Sequence, residues 1–346
     1  MTIPIYRADE SIVIGAIPSH PERTAMVEAD GALLLWDELA DTIYPAARIF
    51  DLDRAGEWLW DIYGAESIRG ILTGDEEIDP IAVTSILRTA KRLAHIEWAR
   101  SWWPESALSS IPPLSTHLLD AEAALHAFAV EHLLDDAESV RRSLSTVDFG
   151  QLAEFARHRL LGEEVTELLD RLDDLAEDYG VEPIRTSRPT PVSGLALAAG
   201  DMRATSTAAA TGKALIDWNL VPAGMIDSAG SARWELARHE GELTLSVSVP
   251  AASSTTDVPL TARVGDTDIS LERSPDLPFF VGRTVVPTSF LLTRTDQRQP
   301  VVHSPVMGRP EDASPELADR HQAILAHARR RLATPDGLLA ERIAGA

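Results

Sequence analysis

The chain contains no cysteine. Disulfides, thiolate metal sites and cysteine nucleophiles are excluded together. Lysine is nearly missing as well: Lys91 and Lys213 are the only two, and every other fixed cation is an arginine. With abundant alanine, this is the codon signature of a GC-rich genome. No run of about 18 apolar residues escapes a charge, so no transmembrane helix is expected. The stretch MTIPIYRADESIVIGAIPSHPE lacks a basic segment followed by an apolar one. No secretory signal is therefore expected, and a cytoplasmic location follows by elimination.

Negative charge is what the sequence has in excess. Its 346 residues carry 54 acids against 31 bases, a net charge of −23. Residues 1–180 hold 35 acids and 14 bases, whereas residues 181–346 hold 19 and 17. Such a field opposes direct binding to nucleic acid or to an anionic membrane, and it suits a basic protein partner. Solvated helix faces account for the same charge without any partner. Mimicry of DNA would need carboxylates arrayed along one surface, which a sequence does not display.

The length fits roughly two domains. Hydrophobic residues make up 45% of the chain, enough for packed cores. The expected class is α+β multidomain: a mixed, largely helical N-terminal half with an antiparallel helix bundle, then an antiparallel β-sandwich and a C-terminal helix. Residues 1–79 read as a small mixed segment. SIVIGAI and AARIF are strand-like, GALLLWDEL is ambiguous at its length, and IRGILTGD reads as a strand. Asp53 is placed to cap a short helix holding Trp58 and Trp60.

Residues 80–180 read as an acidic helical bundle. Asp79-Pro80 is a helix start, with Ile81, Ile86, Leu93 and Trp98 on the apolar face and Pro104 as the stop. Further helices are expected over Ser115–Leu134, Asp136–Leu144 and, as one long element, Asp148–Tyr179. Residues 181–212 are rich in Pro, Ser, Thr, Ala and Gly and read as a linker, although positions 195–212 could open the next domain. Over 213–305 the period becomes two. Leu243, Leu245, Val247 and Val249 alternate with Thr244, Ser246 and Ser248, and VPLTARV, DISLER, FFVGRTVV and SFLLTRT follow at regular spacing, as in a sandwich. The tail, 306–346, is helical from Ser314-Pro315-Glu316, with a break at Pro335-Asp336-Gly337.

Four patterns bear on chemistry. Glu122 with His126, and Glu154 with His158, share helix faces at i, i+4 spacing, with His117 and Glu131 nearby in sequence. A di-metal bundle uses Glu-x-x-His, and zinc proteases use His-Glu-x-x-His; neither occurs. Gly-x-Ser-x-Gly is absent, and Asp227-Ser228-Ala229-Gly230 reads as a turn before a strand. His239 and His303 have no serine linked to them in sequence. Thr211-Gly212-Lys213 lacks the upstream glycine of a phosphate loop, and Asp135-Asp136 and Asp173-Asp174 lack the pattern of a calcium loop. No metal or cofactor is expected.

Tryptophan clusters at Trp58, Trp60, Trp98, Trp102 and Trp103. Such residues either pack elements together or anchor an interface. The expected function is a non-catalytic accessory, adaptor or scaffold protein whose acidic N-terminal half binds a protein partner. Its candidate contacts are Trp98, Trp102, Trp103 and the acidic turn Asp75, Glu76 and Glu77. Arg329, Arg330 and Arg331, the one basic run, are candidates for intramolecular docking on the acidic half. The alternative is a hydrolase or metal-dependent enzyme with a dispersed His/carboxylate site, its named residues being Glu122, His126, Glu154 and His158.

Overall fold

A computed structural model describes residues 2–8, 10–40, 42–80, 83–135, 138–186, 208–239, 241–253, 258–307 and 316–346. The expectations for Ile81, Asp136, Ser314, Pro315 and linker positions 187–207 lie outside the described residues. The chain forms two compact units. The first comprises Met1–Trp102, Leu114–Thr190 and Arg331–Ala346, and the second Trp103–Pro113 and Pro191–Arg330. The class is α+β, with helices and two antiparallel sheets.

The first unit holds a six-stranded sheet of β1 (Ile3–Ala8), β2 (Ser11–Ile14), β3 (Thr24–Ala29), β4 (Ala32–Asp37), β5 (Ala46–Ile49) and β6 (Glu77–Ile78), in the order β3-β4-β5-β2-β1-β6. Asp30-Gly31 makes the two-residue turn between β3 and β4, with Gly31 at φ +75°. Asp-Gly is favoured there because such turns need positive φ. Val27, Leu34, Ala47 and Ile14 stand in one cross-strand row and are buried. GALLLWDEL thus resolves as a strand. Its pairing on both sides, with Val27 and Thr24 on β3 and Ile49 on β5 among its neighbours, settles what its length could not.

IRGILTGD is a helix rather than a strand. After α1 (Leu52–Ala55) and α2 (Leu59–Tyr63), α3 runs Ala65–Thr73 and ends on the left-handed Gly74. Ser67, Gly70 and Ile71 are its buried positions, a helical rather than a two-residue spacing. Asp51, not Asp53, caps α1 by accepting from the Asp53 and Arg54 amides. The helix expected from Asp79 starts later: α4 spans Ser85–Trp102, and the Thr84 hydroxyl accepts from the Leu87 amide at 2.9 Å. α5 (Thr116–Ala129) is capped by Ser115, and α6 covers Ser139–Thr146.

The single long helix expected over Asp148–Tyr179 is two helices, α7 (Phe149–Phe155) and α8 (Gly162–Asp178). Between them the Gly162 amide returns to the His158 carbonyl, and a side chain on Gly162 would collide with the Ala156 carbonyl oxygen. The last short helix, α10 (Leu339–Ala344), belongs to this unit.

The second unit holds seven strands: β7 (Ala208–Ala214), β8 (Ala232–His239), β9 (Glu242–Pro250), β10 (Leu260–Val264), β11 (Thr267–Arg273), β12 (Phe279–Val285) and β13 (Val301–His303). They join one antiparallel sheet in the order β13-β10-β11-β12-β9-β8-β7, where a sandwich would divide them between two. Leu243, Leu245, Val247 and Val249 form its buried side. β7 places residues 208–212 in the sheet rather than in a linker. SFLLTRT is not a strand; it forms 3-10 turns at Thr288–Leu292 and Thr295–Arg298, because Pro287 removes a ladder donor at its start. α9 (Leu317–Leu332) follows, and no helix among the described residues is long and apolar enough to cross a membrane.

Candidate functional site

Within the first unit, four charged side chains meet in the interior. His95 lies on the buried side of α4 because it falls three residues before Trp98, on whose ring it stacks at 5.5 Å. Its Nδ1 is 2.9 Å from Glu38 Oε2, just beyond β4. Its Nε2 is 2.9 Å from Glu341 Oε1 on α10. Glu341 is fully buried and also accepts from Arg331, through Nε at 2.8 Å and Nη2 at 2.6 Å, and from the Leu338 amide at 2.8 Å.

The set is electrically balanced if His95 is protonated. Burial alone would lower the His95 pKa, but Glu38 and Glu341 outweigh it and hold the ring up to about 9. Burial likewise pushes Glu341 upward, and its hydrogen bonds from His95 and Arg331 reverse this, leaving it at about 2. Charges without partners are too costly in an interior; pairing and full hydrogen bonding make this set tolerable.

This arrangement limits the chemistry that His95 can perform. A general base needs a free lone pair on a neutral imidazole. Here the ring has one carboxylate on each nitrogen, so the orienting bond to Glu38 is not matched by a nucleophile on the other side. The cluster joins α10 to α4 and to the loop after β4.

The proposed helical metal ligands are used in other ways. The Glu122 carboxylate accepts from the Leu339 and Ala340 amides at 2.7 and 3.1 Å, so it caps the start of α10. Burial raises it to about 7 against those two bonds. His126, on the same helix, is lowered to about 4 by burial and by Arg92 and Arg171. Glu154 pairs with Arg157 at the surface, and His158 Nδ1 accepts from the Leu161 amide in the break between α7 and α8. Among the described residues no three of Glu122, His126, Glu154 and His158 converge within metal-ligand reach. Glu131 accepts from the Tyr179 hydroxyl at 2.7 Å.

The tryptophan candidates divide. Trp98 is 1% exposed and donates to the Glu22 carbonyl, so it cannot serve as a surface anchor. Trp103 is buried and donates to Pro112 O, which removes it as well. Trp102 is half-buried. Trp60, at 52% exposure, is the most open large aromatic of the group. Asp75, Glu76 and Glu77 are all exposed, the first two on the turn after α3 and Glu77 at the start of β6. Of the basic run, Arg331 pairs with Glu341, Arg329 donates to Ser109 O in the second unit, and Arg330 is exposed.

The first unit also carries a surface feature that no motif marks. Glu163, Glu167, Asp170, Asp174 and Glu177 follow one another at three- and four-residue spacing along α8, and all are exposed. They lie opposite Val165, Leu168, Leu172 and Leu175, which are buried. None of the five has an ion-pair partner among the described residues. The ridge spans about 21 Å at 1.5 Å per residue. Arg171 flanks it, and the last turn of the helix contains no base.

In the second unit, Asp227 is buried and accepts from Ser106 Oγ at 2.6 Å, Leu108 N at 3.1 Å and Ala229 N at 3.0 Å. The Gly230 amide closes the turn onto the Asp227 carbonyl, so Asp227-Ser228-Ala229-Gly230 is a turn leading into β8. Thr211-Gly212-Lys213 lies within β7.

The fold and these sites define an α+β protein with an acidic, internally ion-paired first unit. Comparison with protein-family models, curated proteins and solved structures finds no match.

Proposed function

We propose that this is a non-catalytic adaptor or accessory protein of the cytoplasm, whose first unit binds a basic protein segment. The observation that carries the reading is the α8 ridge. The first unit holds 37 acids and 18 bases, the second 17 and 13. Like charges at i, i+4 destabilise a helix by about 0.2–0.5 kcal/mol per pair. Carboxylates near the C-terminus also oppose the helix dipole, each by roughly 0.3–1 kcal/mol. Arg171, four residues after Glu167 and three before Asp174, is the one base beside the ridge and offsets these costs only in part, whereas a cationic partner would offset them along its length. In this reading α4 to α8 act as an antiparallel bundle that presents the ridge, and Trp60 and the Asp75–Glu77 turn are further contacts.

The test is fluorescence anisotropy of a labelled oligo-arginine peptide with the full chain. Binding should weaken steeply with added salt. The Glu167→Lys, Asp170→Lys, Asp174→Lys variant should bind about tenfold more weakly, a loss of about 1.4 kcal/mol. Equal affinity for the variant and the parent, with both folded, would remove the ridge from the binding surface.

A further inference from the structure

The outward face of the second unit's sheet is laid out by its strand register. Lys213 on β7 stands directly opposite Arg233 on β8, and Arg233 opposite Ser248 on β9. One row along, Arg283 on β12 stands opposite Ser246, and Glu235 flanks Ser246 on its other side. Lys213, Arg233 and Arg283 are exposed, and none has a hydrogen-bond or ion-pair partner among the described residues. Val281 and Val285, 39% and 58% exposed, lie on the same face of β12.

Like charges directly opposite each other in a sheet are unfavourable. In a chain with 23 more acids than bases, carboxylates were available to relieve the Lys213–Arg233 juxtaposition. Glu235 is the nearest in register, and it pairs with neither. We propose that this open face is a docking surface for an acidic amphipathic helix from another protein. The guanidinium and ammonium groups meet its carboxylates, Ser246 and Ser248 donate hydroxyl hydrogen bonds to them, and Val281 and Val285 receive its apolar stripe.

Three features favour this occupant. The rows through Ser246 and Ser248 carry no aromatic ring, and Phe279, two residues before Val281 on β12, is only partly exposed, so the face offers no run of rings for stacking successive bases. The net charge of the whole chain repels a long polyanion. Glu235 and Glu272, on the same face, oppose an unbroken run of acids and suit carboxylates spaced along the edges of an apolar stripe. The surface lies in the second unit, so its fate is independent of the α8 ridge.

The experiment is anisotropy at low ionic strength, with the full chain and a labelled helical peptide bearing leucine on one face and glutamate along its edges. This peptide should bind, and its counterpart with glutamine for glutamate should bind about tenfold more weakly. Arg233→Gln with Arg283→Gln should weaken the glutamate peptide about as much, Arg233→Lys with Arg283→Lys should retain most of the affinity, and Val281→Asp should also weaken it. Matched melting curves establish that the variants fold. No binding, unchanged binding by the glutamine variant, or stronger competition by oligothymidine than by the unlabelled helix overturns the assignment. So does concentration-dependent self-association that the same substitutions abolish, since the occupant would then be a second copy.

Discussion

His95 Nε2 and Glu341 Oε1 are 2.9 Å apart in space and 246 positions apart in sequence. The pair joins α4 to α10 at a fully buried carboxylate, with Glu38 on the opposite ring nitrogen and Arg331 on the opposite side of Glu341. Removing one member leaves the others as uncompensated interior charge.

His95→Ala should therefore destabilise the first unit by about 3–5 kcal/mol, the usual cost of breaking a buried ion pair from one side. Urea titration followed by circular dichroism measures this. A loss below about 1 kcal/mol would mean that the cluster relaxes into water and carries little of the unit's stability.

The pH dependence has a definite sign. His95 is raised from 6.5 to about 9, so the stability it contributes is complete below pH 6.5 and is lost as pH rises through 9. Glu341 is lowered from 4.5 to about 2, so its contribution is present above pH 4.5 and is lost as pH falls through 2. Glu122, raised from 4.5 to about 7, adds stability that is complete below 4.5 and is lost as pH rises through 7, so its decline is nearly finished where that of His95 begins. Melting temperatures of the parent and of His95→Gln isolate the His95 share. Their difference should shrink from pH 6.5 towards 9, with Glu122→Gln correcting for the second group. A constant difference across that range contradicts a charged His95.

Gly212→Ala should destabilise the second unit by about 1–3 kcal/mol through overpacking. Gly212 faces Trp234 across the β7–β8 pair, and an added methyl would lie 2.6–2.8 Å from the indole Nε1, Cε2 and Cζ2 atoms. Trp234 is 3% exposed, so the ring is enclosed by its neighbours. Thermal melts with tryptophan fluorescence report both stability and ring displacement. An unchanged midpoint and spectrum would show that the ring can move aside.

Much of the sheet architecture was legible because the period-two alternation of β9 survives into burial: Leu243, Leu245, Val247 and Val249 face inward and Ser246 outward. Alternation does not say whether strands share one sheet or divide between two, and here they share one. IRGILTGD suits either period because its apolar run is short, and only the cap at Gly74 decides for a helix. The break at residues 156–161 was hidden because leucines on either side keep a helical spacing. The buried cluster left the least trace. His95 could be placed on an apolar helix face, but nothing local links it to Glu38 or Glu341. The ridge on α8 was present in the sequence as spacing, and became visible once burial of the opposite face fixed which side was wet.

The return of Arg331–Ala346 to the first unit bears on biosynthesis. A ribosome emits Glu38, His95 and Glu122 early, but the α10 partners of His95 and Glu122 emerge only after the whole second unit. Until then Glu38 and His95 lack the fully buried counter-charge of Glu341, and Glu122 has no helix start to cap. The first unit therefore completes its folding last, although most of its sequence is translated first.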